Sequence, residues 1–120
     1  MDDLIKQKIL ALLDGHRIMT IATLRPDGWP QATTVGYVNE GLTLWFLCGL
    51  ESQKAKNLAL DNRVSITIDH DTPDIMSITG LSMAARAHRV SDGKVTDETA
   101  WASANCARAG GASAPIAALI

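Results

Sequence analysis

The 120-residue sequence predicts a mainly β domain: a small antiparallel barrel with helices packed on its outside. Three observations lead there. Three β-branched runs follow one another with only tight turn chemistry between them, which is the pattern of an antiparallel meander. Residues 63–69 alternate strictly between apolar and polar side chains. Five or so short strands stand against only two or three helical stretches.

The chain opens with a helix over residues 2–15, where Ile5, Ile9, Leu12 and Leu13 keep helical spacing. Asp2 or Asp3 is placed to cap its start, and Gly15 to supply a left-handed position at its end. RIMTIATL (17–24) and PQATTVGYV (30–38) are rich in β-branched residues and flank RPDGW, whose Pro-Asp-Gly is strong turn chemistry, so they form a hairpin. A second turn at Asn39-Glu40-Gly41 leads into a third strand, LTLWFLC (42–48). SQKAKNL (52–58) begins a helix that puts Ala55, Leu58 and Ala59 on one face and ends at Asn62. In RVSITID, Val64, Ile66 and Ile68 alternate with Ser65, Thr67 and Asp69. Past Pro73, residues 75–90 read as one long or bent strand with Gly80 as its bulge or bend, and DGK then turns the chain. VTDETAWASANCARAGG is open to a helix with Thr96 or Asp97 near its cap, while GGASAPIAALI has no clear period and is assigned no structure.

With 47% hydrophobic and 20% charged residues, the chain fits one domain, residues 1–120, with apolar side chains for a single core. A formal charge of −2 gives no global attraction to nucleic acid or to an anionic membrane, so anion recognition must come from a local cluster of donors and points to a small molecule. Cys48 and Cys106 make neither a metal spacing nor a disulfide framework, the N-terminus opens on acids, and no run approaches the ~20 apolar residues of a membrane span. A soluble, cytoplasmic protein is expected. His16, His70 and His88 have no ligand spacing, so no metal is expected. Common hydrolase, zincin, dinucleotide and P-loop motifs are missing, and no basic residues interleave with Trp29, Trp45 and Trp101 as a nucleic-acid stacking platform requires.

Two stretches carry candidate chemistry. A strand, the tight connection GLE and the helix SQKAKNL place Ser52 at a helix N-cap, where free backbone amides point outward. Ser52 brings a hydroxyl, Lys54 a mobile charge, and Asn57 a brace or a further donor; a phosphate would satisfy them. Lys56, turned by about 200° from Lys54, is solvated. In ATTVGY, Thr33, Thr34 and Gly36 leave backbone open along which a planar ring could lie. Each has a plainer alternative: Ser52 as a simple cap beside solvated lysines, and the threonines as ordinary strand formers.

Taken in order, Asp27-Gly28 with Pro30, Thr33 to Val35, Ser52 to Lys54 and Asn62 to Val64 resemble the pyridoxamine 5′-phosphate oxidase-like family of flavin-binding split β-barrels, over roughly residues 5–92. The resemblance implies a small antiparallel split β-barrel of FMN-binding type, with Thr33, Thr34, Val35 and Gly36 along the isoalloxazine ring. Leu47 and Cys48 would also line the flavin, and Ser52, Gln53 and Lys54 would hold its phosphate. It further implies a homodimer with the flavin between subunits and FMN-dependent hydride transfer to or from a small-molecule substrate, with no catalytic residue assigned. Two alternatives share the fold: a reductase using the deazaflavin coenzyme, and a non-catalytic flavin-binding or storage protein. The chain departs from the family at Gln53, where many members carry arginine, and at Thr33, where the oxidases proper carry one. Residues 93–120 are short or incomplete relative to the family, and the substrate residues of the oxidases have no counterpart, so pyridoxamine phosphate oxidation itself is not expected.

Overall fold

A computed structural model describes residues 3–49, 51–90, 99–106 and 117–119. Helix α1 (Asp3–Asp14) buries Ile9 and Leu13 completely, while Ile5 stays exposed. Its end differs from expectation, because Gly15 is not in the left-handed region. The Gly15 amide instead reaches back to the carbonyls of Ala11 and Leu12, at 3.0 and 3.2 Å, and His16 Nδ1 donates to Leu12 O at 2.8 Å. The last carbonyls are thereby satisfied without a left-handed cap.

Strands β1 (Ile18–Leu24), β2 (Pro30–Glu40) and β3 (Thr43–Gly49) form the expected meander. The first turn places Gly28 at φ 84°, with Gly28 N donating to Arg25 O at 2.9 Å, and the second places Gly41 at φ 61°. Both are conformations that favour glycine. After helix α2 (Gln53–Leu60), strand β4 (Arg63–Asp69) buries Val64, Ile66 and Ile68 on alternate positions.

Residues 75–90 are not one strand. Asp74 caps a short 3-10 turn over Ile75–Ser77, accepting from Met76 N at 3.0 Å and Ser77 Oγ at 2.9 Å, and strand β5 (Gly80–Val90) begins only afterwards. Gly80 stands where a Cβ would lie 2.6 Å from the Ile68 carbonyl oxygen, so close backbone approach at the strand start, not a bulge within it, demands glycine. The stretch expected to be helical, with Thr96 and Asp97 now outside the described residues, contains strand β6 (Thr99–Cys106) instead. Alanine is the best helix former, but intrinsic propensity is a small term, and pairing with β3 on one side and β5 on the other outweighs it. A short strand β7 (Ala117–Leu119) runs beside Leu81–Met83 in the tail that was assigned no structure.

Every pairing is antiparallel, and the order β4-β1-β2-β3-β6-β5 closes on itself through β5 and β4, where Ile66 stands opposite Met83. The interior holds Met19, Ile21, Leu44, Phe46, Ile66, Ile68, Leu81 and Met83, all almost without exposure. Helix α1 packs against this core, pinned by the Tyr37 hydroxyl, which donates to Leu13 O at 2.7 Å. Burial, and then the charge of Asp14, push the Tyr37 phenol up from its ordinary value.

Helix α2 differs from expectation in two respects. Its fully buried side chain is the polar Asn57, while Ala59 is exposed. It ends at Asp61 rather than Asn62: Asp61 N donates to Asn57 O at 2.9 Å, and Arg63 hydrogen bonds hold the Asp61 carboxyl at about 2. Asn62 has another task, its carbonyl accepting from Ala87 N at 2.9 Å to tie the helix exit to β5.

A candidate cofactor groove at the split between two strands

Strands β2 and β3 pair only from Tyr37–Phe46 to Glu40–Thr43. Beyond that point β2 pairs with β1 alone, from Gly36 back to Pro30, and β3 continues against β6. The two strands part. At the parting lies an open groove of about 400 Å³, lined by Val35 and Gly36 from β2, Trp45, Phe46 and Leu47 from β3, and Arg17 just before β1.

Strand alternation assigns each expected site residue a direction. Thr33 and Val35 share the inward side with buried Tyr37, whereas Thr34 and Gly36 share the outer face with exposed Val38. On β3, Leu47 faces out and Cys48 is buried. Val35, Gly36 and Leu47 therefore meet in one groove, while Thr33 and Thr34 lie further along β2 toward the hairpin. The Thr33 hydroxyl oxygen is buried without a hydrogen-bond partner among the described residues. Such orphaned groups are uncommon in folded proteins and mark places where a missing partner is expected.

Gly36 carries the sharpest signal. Its φ is not in the left-handed region, and a Cβ built on it would meet only Arg17 O, at the ordinary contact distance of 3.8 Å. Nothing among the described residues requires glycine there. Glycine weakens a strand by roughly 0.5–1 kcal/mol, so the space it leaves on the groove floor fits the approach of an external group to the backbone.

The groove wall leads directly into the second candidate stretch. From Leu47 the chain passes through Cys48 and Gly49 to Ser52, which caps α2 with extended backbone (φ −69°, ψ 154°). Its Oγ accepts from Ala55 N at 3.1 Å and donates to Gly49 O at 2.7 Å. Its single proton is thus committed within the chain, and the donors offered to an anion here are the first-turn amides of Gln53 and Lys54 with the Lys54 ammonium. Lys54 is half-buried and close enough to Cys48 to act on it. Burial raises the thiol's pKa, and this outweighs the opposing pull of Lys54. The Gln53 side chain donates to Asn57 Oδ1 at 2.8 Å and so serves the helix itself.

Sequence reasoning gave Asn57 a bracing role but missed its partners. Its Nδ2 donates to Thr23 Oγ1 at 2.9 Å and to Gln31 Oε1 at 3.1 Å, so one amide joins α2 to β1 and β2. The sequence carried little signal for this, since Asn57 lies about 200° around the helix from Ala55 and shares its side with the polar Gln53 and Lys54. Among the described residues no three His, Cys, Asp or Glu side chains gather as a metal group; His16 and His70 approach to 6.0 Å between ring centroids without a third partner. No helix of the described residues is long and apolar enough to cross a membrane.

The profile of the pyridoxamine 5′-phosphate oxidase family matches residues 5–118. The chain belongs to this family. General stress protein 26 of Bacillus subtilis (strain 168) is 31% identical over 67 residues, 56% of this chain and 47% of that protein, so the match spans about half of the relative. A Listeria innocua protein named for pyridoxamine 5′-phosphate oxidase superimposes with a TM-score of 0.73 at 20% identity, covering 83% of this chain and 91% of the other. The heme storage protein HutZ of Vibrio cholerae gives 0.72 at 15% identity, covering 82% and 87%. At these identities the structures show a shared fold. The expected family and its split-barrel architecture are both present.

Proposed function

We propose that this pyridoxamine 5′-phosphate oxidase family member binds FMN in the groove between β2 and β3 and acts as a flavin-dependent oxidoreductase on a small molecule. The observation that carries the proposal is Gly36, a glycine that the fold tolerates but does not need, on the floor of a groove whose size falls within the usual range for small-molecule sites. Val35 and Gly36 offer backbone to the ring, Leu47 and Trp45 offer apolar walls, and the start of α2 with Lys54 offers a phosphate seat. The flavin supplies hydride transfer when bound. The chain's part is to hold the ring flat, fix the phosphate and keep water from the buried side. An open groove on one barrel fits a second copy supplying the remaining wall, so a homodimer follows from the same reading. A buried thiol at Cys48 suits the reducing cytoplasm.

Heme storage in the manner of HutZ finds less support, because no histidine lines the groove among the described residues. The deciding experiment is the visible spectrum of the purified protein, mass identification of any released cofactor, and titration of FMN, the deazaflavin coenzyme and hemin into stripped protein. FMN binding at micromolar affinity or tighter supports the proposal. Failure of FMN to bind overturns it, and preference for deazaflavin or hemin replaces it. Reduction of bound FMN by a nicotinamide donor and reoxidation by an added acceptor separate an enzyme from a storage protein.

A further inference from the structure

The two halves of the proposed flavin site lie on different elements. The strand that offers backbone to the ring is β2, and the seat offered to the phosphate is the first turn of α2. With eight residues, α2 is too short to hold its own place, since isolated helices below about 12–15 residues are marginal in water. Ala55 and Leu58 pack against the core by partly buried apolar contact, which has no preferred direction, and Ser52 ties the helix only to Gly49, just before it in the chain. The directed contacts to the sheet come from one side chain. Asn57 Oδ1 accepts from Gln53 Nε2 at 2.8 Å, while its Nδ2 donates to Gln31 Oε1 at 3.1 Å and to Thr23 Oγ1 at 2.9 Å. Gln53 is the first residue of α2, at the phosphate seat, and Gln31 stands two positions before Thr33 on the ring strand. One amide thus bridges the seat and the strand.

Such a bridge sets a distance. The ring and the phosphate of FMN belong to one molecule of limited reach, so two separate holds on it reinforce one another only where the spacing of the two seats matches that reach and stays fixed. Hydrogen bonds are directional and narrow in length, and Asn57 makes its own without any exposure to water. We propose that Asn57 is a positioning residue that fixes the start of α2 against β2, so that phosphate and ring are held together; this rests on the FMN reading of the site. Asn57 acts through Gln53 and Gln31, not on the flavin itself. Thr23 stands opposite Gln31 on β1 and secures the same amide, so removing its hydroxyl alone leaves the Gln31–Asn57–Gln53 bridge closed.

The test measures FMN and riboflavin affinities by flavin fluorescence on the cofactor-stripped full-length chain. The parent should favour FMN by about tenfold or more. Asn57→Leu and Gln31→Leu, which open the bridge and keep Lys54, should bring that preference below about threefold while riboflavin stays within about threefold of the parent. Lys54→Ala should weaken FMN by less than about threefold in the Asn57→Leu background, against about tenfold or more in the parent, because the two residues serve one hold. Thr23→Val is the stability control: it should lower the urea midpoint and leave the preference for FMN within about twofold of the parent. A merely structural amide would move the midpoint and not the preference. Full preference for FMN in Asn57→Leu and Gln31→Leu, equal loss of preference in Thr23→Val, or no preference in the parent overturns the assignment. Should Asn57→Leu fail to fold, the part-buried Gln31 decides alone. A parent that binds neither flavin overturns the FMN reading and this assignment with it, a result distinct from a parent that prefers FMN regardless of Gln31.

Discussion

Asn57 Nδ2 donates to Thr23 Oγ1 across 2.9 Å in the protein interior, joining residues 34 apart in sequence. With the Gln31 and Gln53 contacts, every polar atom of this fully buried amide has a partner. Asn57→Leu keeps the approximate volume but strands Thr23, Gln31 and Gln53 at once. It should cost about 2–3 kcal/mol in urea denaturation, because each buried polar group left unpaired costs roughly 1–3 kcal/mol and the partly exposed glutamines can turn to water. Thr23→Val, which leaves Asn57 its Gln31 and Gln53 partners, should cost about 1 kcal/mol. Equal stability of Asn57→Leu and the parent would show that the network is dispensable.

Two strand glycines, Gly80 on β5 and Gly36 on β2, should respond oppositely to alanine. At Gly80 a methyl would stand 2.6 Å from Ile68 O and 3.0 Å from Asp69 Cβ, both on a paired strand that cannot move aside. Gly80→Ala should therefore lose about 1–3 kcal/mol, the usual range for forcing atoms into a packed site, and lower the melting temperature accordingly.

At Gly36 the same methyl meets ordinary space. Gly36→Ala should leave thermal stability unchanged or raise it by up to about 1 kcal/mol, since alanine restricts the unfolded chain more than glycine does. FMN affinity should meanwhile fall, and fall further for Gly36→Val. Loss of stability in Gly36→Ala would remove the argument that this glycine serves a ligand.

The contrast shows where the sequence is legible. The strands around Ile21, Phe46 and Ile66 could be read directly, because a period of two and turn residues at Gly28 and Gly41 are local signals. Strand β6 could not, since its alanines carry helix propensity and its conformation is set by β3 and β5, partners far away in sequence. Residues 75–78 failed for the opposite reason: a local Asp74 cap overrides their β-branched composition. At the site, Gly36, Leu47 and Ser52 were visible as residue types. Arg17 and Gln31 were not, because only the register of β1 on β2 brings them alongside.

Cys48 gives a pH prediction with a definite sign. Burial raises the thiol's pKa above its ordinary 9.0, so the folded chain holds the proton longer than the unfolded chain does. This contribution to stability is complete below about pH 9 and is lost as pH rises through the folded value. Between pH 8 and 10.5 the urea midpoint of the parent should fall more steeply than that of Cys48→Ala. Lys54→Ala should shift iodoacetamide alkylation of Cys48 to still higher pH, because Lys54 pulls the thiol down.

Lys54 also allows the phosphate seat to be tested apart from the ring site. FMN and riboflavin share the isoalloxazine and differ in the phosphate, so a residue that acts on the phosphate should affect only the first. Lys54→Ala should weaken FMN by about tenfold to a hundredfold, the equivalent of the roughly 1.5–3 kcal/mol of a charge-assisted hydrogen bond, and leave riboflavin within twofold. Lys56, on the exposed side of α2, should do neither when changed to alanine. Added salt should shrink the FMN difference between parent and Lys54→Ala, as screening weakens the ion pair. Were riboflavin weakened as much as FMN, Lys54 would act through the fold of α2 rather than on the phosphate, and the helix start would lose its assignment. A hundredfold loss would place nearly all of the grip on Lys54, as expected where Gln53 is tied to Asn57 and brings no second charge.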